Sequence, residues 1–223
     1  MRKFSSLLLV LLLVAGGAIA QDDLRYTENV GQRVDVFEHD ALNFRLDLSG
    51  EAYTYVDFST NVPEASFAAI RFKPNAFSLV VSEDLGVSLT AEQYAEIVQT
   101  AMKDRFTAQE DAEYKGHRDI GGREERGMQV FQKAVYAEVA TTPITYVLTA
   151  IVDGERAYQL LTFASRESEA AIQTEADQML AGFSIVDPGG NKNIVVASKS
   201  VEDYRSSTFG YRFRARARGW FPW

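Results

Sequence analysis

Apolar and polar side chains alternate strictly from Ala41 to Leu48. Leu42, Phe44, Leu46 and Leu48 share one face, and Asn43, Arg45 and Asp47 share the other. A period of two is that of a half-buried strand. Tyr53 to Phe58 is a second β-rich run. Phe67–Phe72 and Phe77–Ser82 flank Lys73-Pro-Asn-Ala76, and proline presets φ for a turn there, so a hairpin is predicted. The period then changes to that of a helix. Tyr94, Ile97, Val98, Ala101 and Met102 recur at i, i+3, i+4, with Glu92, Glu96 and Lys103 opposite. Thr90 with Gln93 forms a capping-box pattern, which predicts a helix over Thr90–Phe106.

The second half is the most regular. A strand is predicted over Tyr114–Ile120, a turn at Gly121-Gly122 and a charged loop at Arg123–Arg126. Met128–Ala140 alternates, with Val130, Ala134, Tyr136 and Glu138 opposite Phe131, Val135, Ala137 and Val139. Thr141-Thr-Pro143 interrupts the pattern. Ile144–Val152 and Ala157–Ala164 flank Asp153-Gly154, the signature of a type I′ hairpin. Ser165 is placed to cap a helix running to Ala181. Gly182 then supplies a left-handed stop, and Phe183 folds back onto the sheet.

The ends have a different character. Arg2 and Lys3, an apolar run from Leu7 to Val14 and Ala18-Ile19-Ala20 make residues 1–20 a signal peptide, cleaved before Gln21. The run is too short for a membrane span, which needs about 20 residues. Residues 21–40 read as a loosely ordered lead-in, 41–186 as one domain and 187–200 as a glycine-rich linker. The absence of cysteine excludes disulfides, thiol nucleophiles and Cys-based zinc sites, and fits a periplasmic or secreted bacterial product.

Charge separates the body from the tail. Residues 21–200 carry 16 Lys and Arg against 29 Asp and Glu, whereas 201–223 carry five Arg against two acids. An acidic body argues against nucleic acid and anionic membranes as partners. In the tail, Arg212, Arg214, Arg216 and Arg218 alternate with Tyr211, Phe213, Ala215 and Ala217, ahead of Trp220. Four Arg on one strand face are suited to gripping an anionic partner. Phe44–Gly50 also resembles Tyr211–Gly219, with two extra residues in the second. That is either the start of a truncated second repeat or a coincidence of alternating strands.

The element order, the hairpin Tyr146–Phe163, the stop Met179–Phe183 and the strand Tyr211–Trp220 closing on Gly-Trp resemble the PsbP-like and DcrB-like α/β/α sandwich families. The first strand departs from the pattern, closing on Gly50-Glu51. The resemblance implies an α+β, three-layer α/β/α sandwich, with a mainly antiparallel sheet and two main helices. It also implies accessory or partner-binding proteins without a catalytic centre.

Motifs for chemistry are sparse. His39 and His117 lie far apart and neither has an i+4 partner, so a metal pair is not expected. Adjacent carboxylates such as Glu124-Glu125 are not held on facing elements, as acid–base catalysis requires. No G-x-S-x-G or phosphate loop occurs. No cofactor is expected. The candidate interaction residues are therefore His117 and Asp119, in the Gly116–Gly127 segment, with Arg212, Arg214, Arg216, Arg218 and Trp220. The expectation is an exported non-enzymatic protein that binds another envelope protein. The alternatives are a structural domain of a longer tandem-repeat envelope protein, and a small-molecule-binding protein or hydrolase with a site near His117.

Overall fold

The computed structural model describes residues 31–58, 62, 64–165, 167–188, 203–205, 212–216 and 219–220. The predicted signal peptide, most of the predicted linker and Arg218 lie outside them. The chain forms β1 (Arg33–Val34), β2 (Val36–His39), a 3-10 turn (Asp40–Leu42), β3 (Phe44–Asp47), β4 (Tyr53–Tyr55), β5 (Ala65–Phe72) and β6 (Asn75–Asp84). These are followed by α1 (Ala91–Thr107), β7 (Ala112–Glu125), β8 (Met128–Val139), β9 (Thr142–Asp153), β10 (Arg156–Ser165), α2 (Glu169–Gly182) and β11 (Phe183–Ile185). β12 (Asp203–Arg205), β13 (Arg212–Arg216) and β14 (Gly219–Trp220) complete the described strands.

Eight strands form one antiparallel sheet in the order β1-β4-β5-β6-β10-β9-β8-β7. The topology follows from one crossover. After β6 the chain leaves the sheet centre through α1 and re-enters at the far edge as β7. Three hairpin steps then return it to β6, where Arg156 pairs with Asp84 and Phe163 with Phe77. β11, β3 and β2 make a separate three-stranded sheet. The fold is therefore α+β, mainly antiparallel, with two α-helices among the described residues.

The alternation of each strand decides what its faces touch. On β8, Lys133 reaches Glu96 of α1, while Gln132 and Tyr136 reach Asp177 and Glu169 of α2. On β10, Gln159 bonds Tyr94 of α1, while Tyr158 packs its ring 5.1 Å from Phe183, just after α2. The capping box of α1 is complete: Thr90 Oγ1 accepts from the Gln93 amide at 3.1 Å, and Gln93 Oε1 accepts from the Thr90 amide at 2.9 Å.

Several expectations shift. The lead-in carries β1 and β2, because Val34 is buried and the Phe37 ring lies 5.0 Å from Phe67. Leu42 leaves the alternating strand for the 3-10 turn, closed by Asn43 in the left-handed region. The second predicted strand stops at Tyr55; beyond it Asp57 is exposed and Phe58 buried. Gly121-Gly122 does not turn the chain. Gly121, at φ +127°, sits at a β-bulge within β7, which continues through the predicted charged loop to Glu125. Ser165 remains in β10, pairing with Ile144, and the cap of α2 is Ser168. Gly182 is helical rather than a left-handed stop. A Cβ there would lie 2.4 Å from the Asp47 carbonyl oxygen, so glycine permits close approach of β3.

The type I′ geometry also lies elsewhere. Asp153 and Arg156 pair, so the turn residues are Gly154 and Glu155, and only Gly154 has positive φ. That fits a II′ type. Both central residues have positive φ at Arg126-Gly127 and at Ala140-Thr141. A β-branched threonine at φ 65° is strained. Replacing Ala140-Thr141 with Asn-Gly is expected to raise stability by about 1 kcal/mol. Urea unfolding checks it, and an unchanged midpoint counts against strain at this turn.

Candidate functional site

β7 is the outer edge of the large sheet, and its side chains are tied to both helices. Two bulges make this happen. Register shifts between Tyr114 and Gly116, and again between Asp119 and Gly121, reset which residues share a face. The first shift sets His117 opposite Val135 and Asp119 opposite Lys133, with Arg118 opposite Ala134 on the other face. An extra residue in one strand re-aims every side chain after it.

On the α1 side, Lys133 is the central group. Its side chain is 0% exposed, and its ammonium pairs with Asp119 at 2.6 Å and with Glu96. The two carboxylates are about half exposed, so they close the buried cation off from water. Burial pulls the Lys133 ammonium down, but hydrogen bonds and charge from Asp119 and Glu96 outweigh it, and its pKa is raised. Beside it, the Gln99 amide donates to the Tyr114 hydroxyl at 2.8 Å, and that hydroxyl lies 2.6 Å from His117 Nδ1. Burial raises the Tyr114 pKa.

On the α2 side, three arginines hold the helix along its length. Arg118 pairs with Glu169 in the first turn, and Tyr136 donates to the same carboxylate at 2.7 Å. Arg123 pairs with Asp177 at 3.1 Å and donates to Gln132. Arg126 donates to the Leu180 and Ala181 carbonyls, which end the helix. A cation at a helix C-terminus satisfies carbonyls left without intrahelical partners.

Among the described residues, two carboxylates are also buried. Glu83 accepts from Tyr94 and from Gln159, the latter at 3.0 Å. Glu175, 1% exposed, accepts from Tyr53 and from Arg71 at 2.9 Å, while Arg71 also pairs with Glu51 at 2.6 Å. Burial raises the Glu175 pKa, against the Tyr53 and Arg71 contacts that lower it. A raised folded-state value favours folding of the protonated form. That contribution is full below the unfolded value of about 4.3 and is lost as pH rises through the folded value. Glu175→Gln is expected to flatten the fall in stability between those two values. Denaturant unfolding across pH checks it, and an unchanged slope contradicts it.

The structure thus places His117 and Asp119 on one edge strand, with separate partners. Lys133, Glu96, Tyr114 and Gln99 complete the cluster, and sequence reasoning missed them. The signal was Lys133 itself, a lysine at the one position that breaks the apolar face formed by Phe131, Val135, Ala137 and Val139. Arg212, Arg214 and Arg216 lie on β13, where Arg212 is opposite Arg205 and Arg214 opposite Asp203; Trp220 lies on β14, opposite Ala215. Among the described residues, no group of three His, Cys, Asp or Glu is arranged to hold a metal ion. No helix among them is long and apolar enough to cross a membrane.

No protein-family model matches the chain, and no curated protein does. Among solved structures, it is similar to the solution structure of cyanobacterial PsbP (CyanoP) from Synechocystis sp. PCC 6803. The TM-score is 0.52 at 10% identity, over 76% of this chain and 98% of that one. At that identity the likeness shows the fold alone, which is PsbP-like.

Proposed function

We propose that the chain is an exported, non-enzymatic accessory protein that binds another protein of the cell envelope through the β7 edge. The observation that supports this reading is the way β7 is held. It is a 14-residue edge strand, and its inward side chains are fixed on one side by Lys133 and Gln99, on the other by Glu169 and Asp177. Glu113, Lys115, His117 and Glu124 remain exposed along the same strand. Bulges and charge on an edge strand discourage pairing with another strand. Recognition therefore proceeds through side chains on a rigid support, which keeps the ordering cost of binding low. The contacts of α1 and α2 with opposite faces of β8 and β10 support a three-layer arrangement. A solved structure with both helices on one face would contradict that.

Export rests on residues 1–20, and mass spectrometry of the secreted or periplasmic fraction tests it: the expected N-terminus is Gln21. The binding reading is tested by affinity capture from the envelope fraction, with residues 21–223 as bait. A Glu113→Lys, Lys115→Glu, His117→Ala variant serves as the comparison. A protein captured by the wild type and lost from the variant is expected. Equal capture by both, or recovery of a small molecule alone, contradicts the proposal.

A further inference from the structure

The hairpin β12–β13 repeats the hairpin β2–β3 in register. In β2–β3, Val36 is opposite Asp47, Phe37 opposite Leu46 and Glu38 opposite Arg45. In β12–β13, Asp203 is opposite Arg214, Tyr204 opposite Phe213 and Arg205 opposite Arg212. All six positions in the second hairpin follow those in the first by the same 167 residues, so both the pairing and the connection length are equal.

The same displacement aligns the chain around the hairpins without a gap. Val34, Phe37, Leu42, Phe44, Leu46 and Tyr53 fall on Val201, Tyr204, Phe209, Tyr211, Phe213 and Trp220. The first six are all buried or half-buried. Strand alternation accounts for the match at Leu42, Phe44 and Leu46, but not for Val34, Phe37 or Tyr53. Asn43, which adopts φ 59°, falls on Gly210, and these two residue types tolerate that conformation best.

We propose that residues 198–223 are the opening of a second copy of this domain, and that β12–β13 fits the surface β2–β3 covers, formed by a β11 and an α2 of that second copy. This is independent of the β7 reading. The two hairpins differ in charge. Glu38 and Arg45 form an ion pair at 3.0 Å, whereas the equivalent positions are both arginine. Like charges directly opposite on a strand pair are destabilising. In that register Asp203 alone stands against Arg205, Arg212 and Arg214, so the second copy needs a further acidic group there that the first does without.

The test is an exchange within the full chain. Residues 36–47 are replaced by the sequence of 203–214, once unchanged and once with Arg205→Glu to restore the ion pair. A control inserts the sequence of 202–213, which brings Arg212 to the buried position of Leu46. At least one exchange is expected to retain a single cooperative thermal transition and near-UV circular dichroism, with the control losing both. Loss of the transition in both exchanges, or a control that melts as they do, would overturn the proposal.

Discussion

Replacing both Glu96 and Asp119 with alanine is expected to destabilise the domain by about 3 kcal/mol, the low end for stranding a buried charge. Lys133 is 0% exposed and its ammonium has these two carboxylates as partners, each about half exposed. Either alone leaves the cation paired, so the single substitutions are expected to cost much less than half of the double. Water entering where the carboxylates stood keeps the cost from the upper end. Adding Lys133→Met removes the stranded charge and fills the site with a flexible apolar side chain, so most of the loss is expected to return. The pH dependence has a definite sign. The Lys133 pKa is raised in the folded state. Its contribution is therefore full below the unfolded value of about 10.4 and lost as pH rises through the folded value. The difference between wild type and the double variant should shrink in that alkaline range. Denaturant unfolding of the five proteins measures all of this. A triple variant no more stable than the double would show that the carboxylates act some other way.

Gly182→Ala is expected to cost about 2–3 kcal/mol and to lower the melting temperature by roughly 5–10 °C for a domain of this size. The added methyl would meet the Asp47 carbonyl oxygen at 2.4 Å and the carbonyl carbon at 3.2 Å. Those are backbone atoms of β3, so relief requires moving the small sheet against α2. Movement there also disturbs Phe183, which is 0% exposed and lies 5.8 Å from the Phe44 ring. Gly122→Ala provides the contrast. Its Cβ would meet Cδ2 of the Phe131 ring at 3.0 Å and a backbone atom only at 3.5 Å, so a small shift of one side chain relieves it and a loss under about 1 kcal/mol is expected. Equal melting temperatures for the two variants would remove close approach as the reason for glycine at 182.

What the sequence made legible is local. The α1 cap was written in Thr90 and Gln93, and the strands of the second half in their alternation. The PsbP-like resemblance pointed to the fold that the comparison with CyanoP supports. The misplaced features depend on distant partners. Gly182 reads as a helix stop, and only the position of Asp47, far away in the chain, shows why it is glycine. Gly121-Gly122 reads as a turn, but a bulge uses the same residue type. His117 and Asp119 stood out for their residue types alone. What fixes Asp119 is Lys133, which falls opposite it only because a bulge shifted the register. Lys133 was nevertheless visible as a charge within an apolar face.

The β7 edge as a recognition surface is tested most directly inside the cell. A photo-crosslinking amino acid at Lys115, the extra residue of the first bulge, probes that edge. The same group at Phe72, 65% exposed on the β5–β6 hairpin, probes the other half of the sheet. A discrete adduct with one envelope protein from position 115, and none from position 72, is the predicted result. Adducts from position 72 alone, or from neither, would contradict the assignment of β7 as the binding edge.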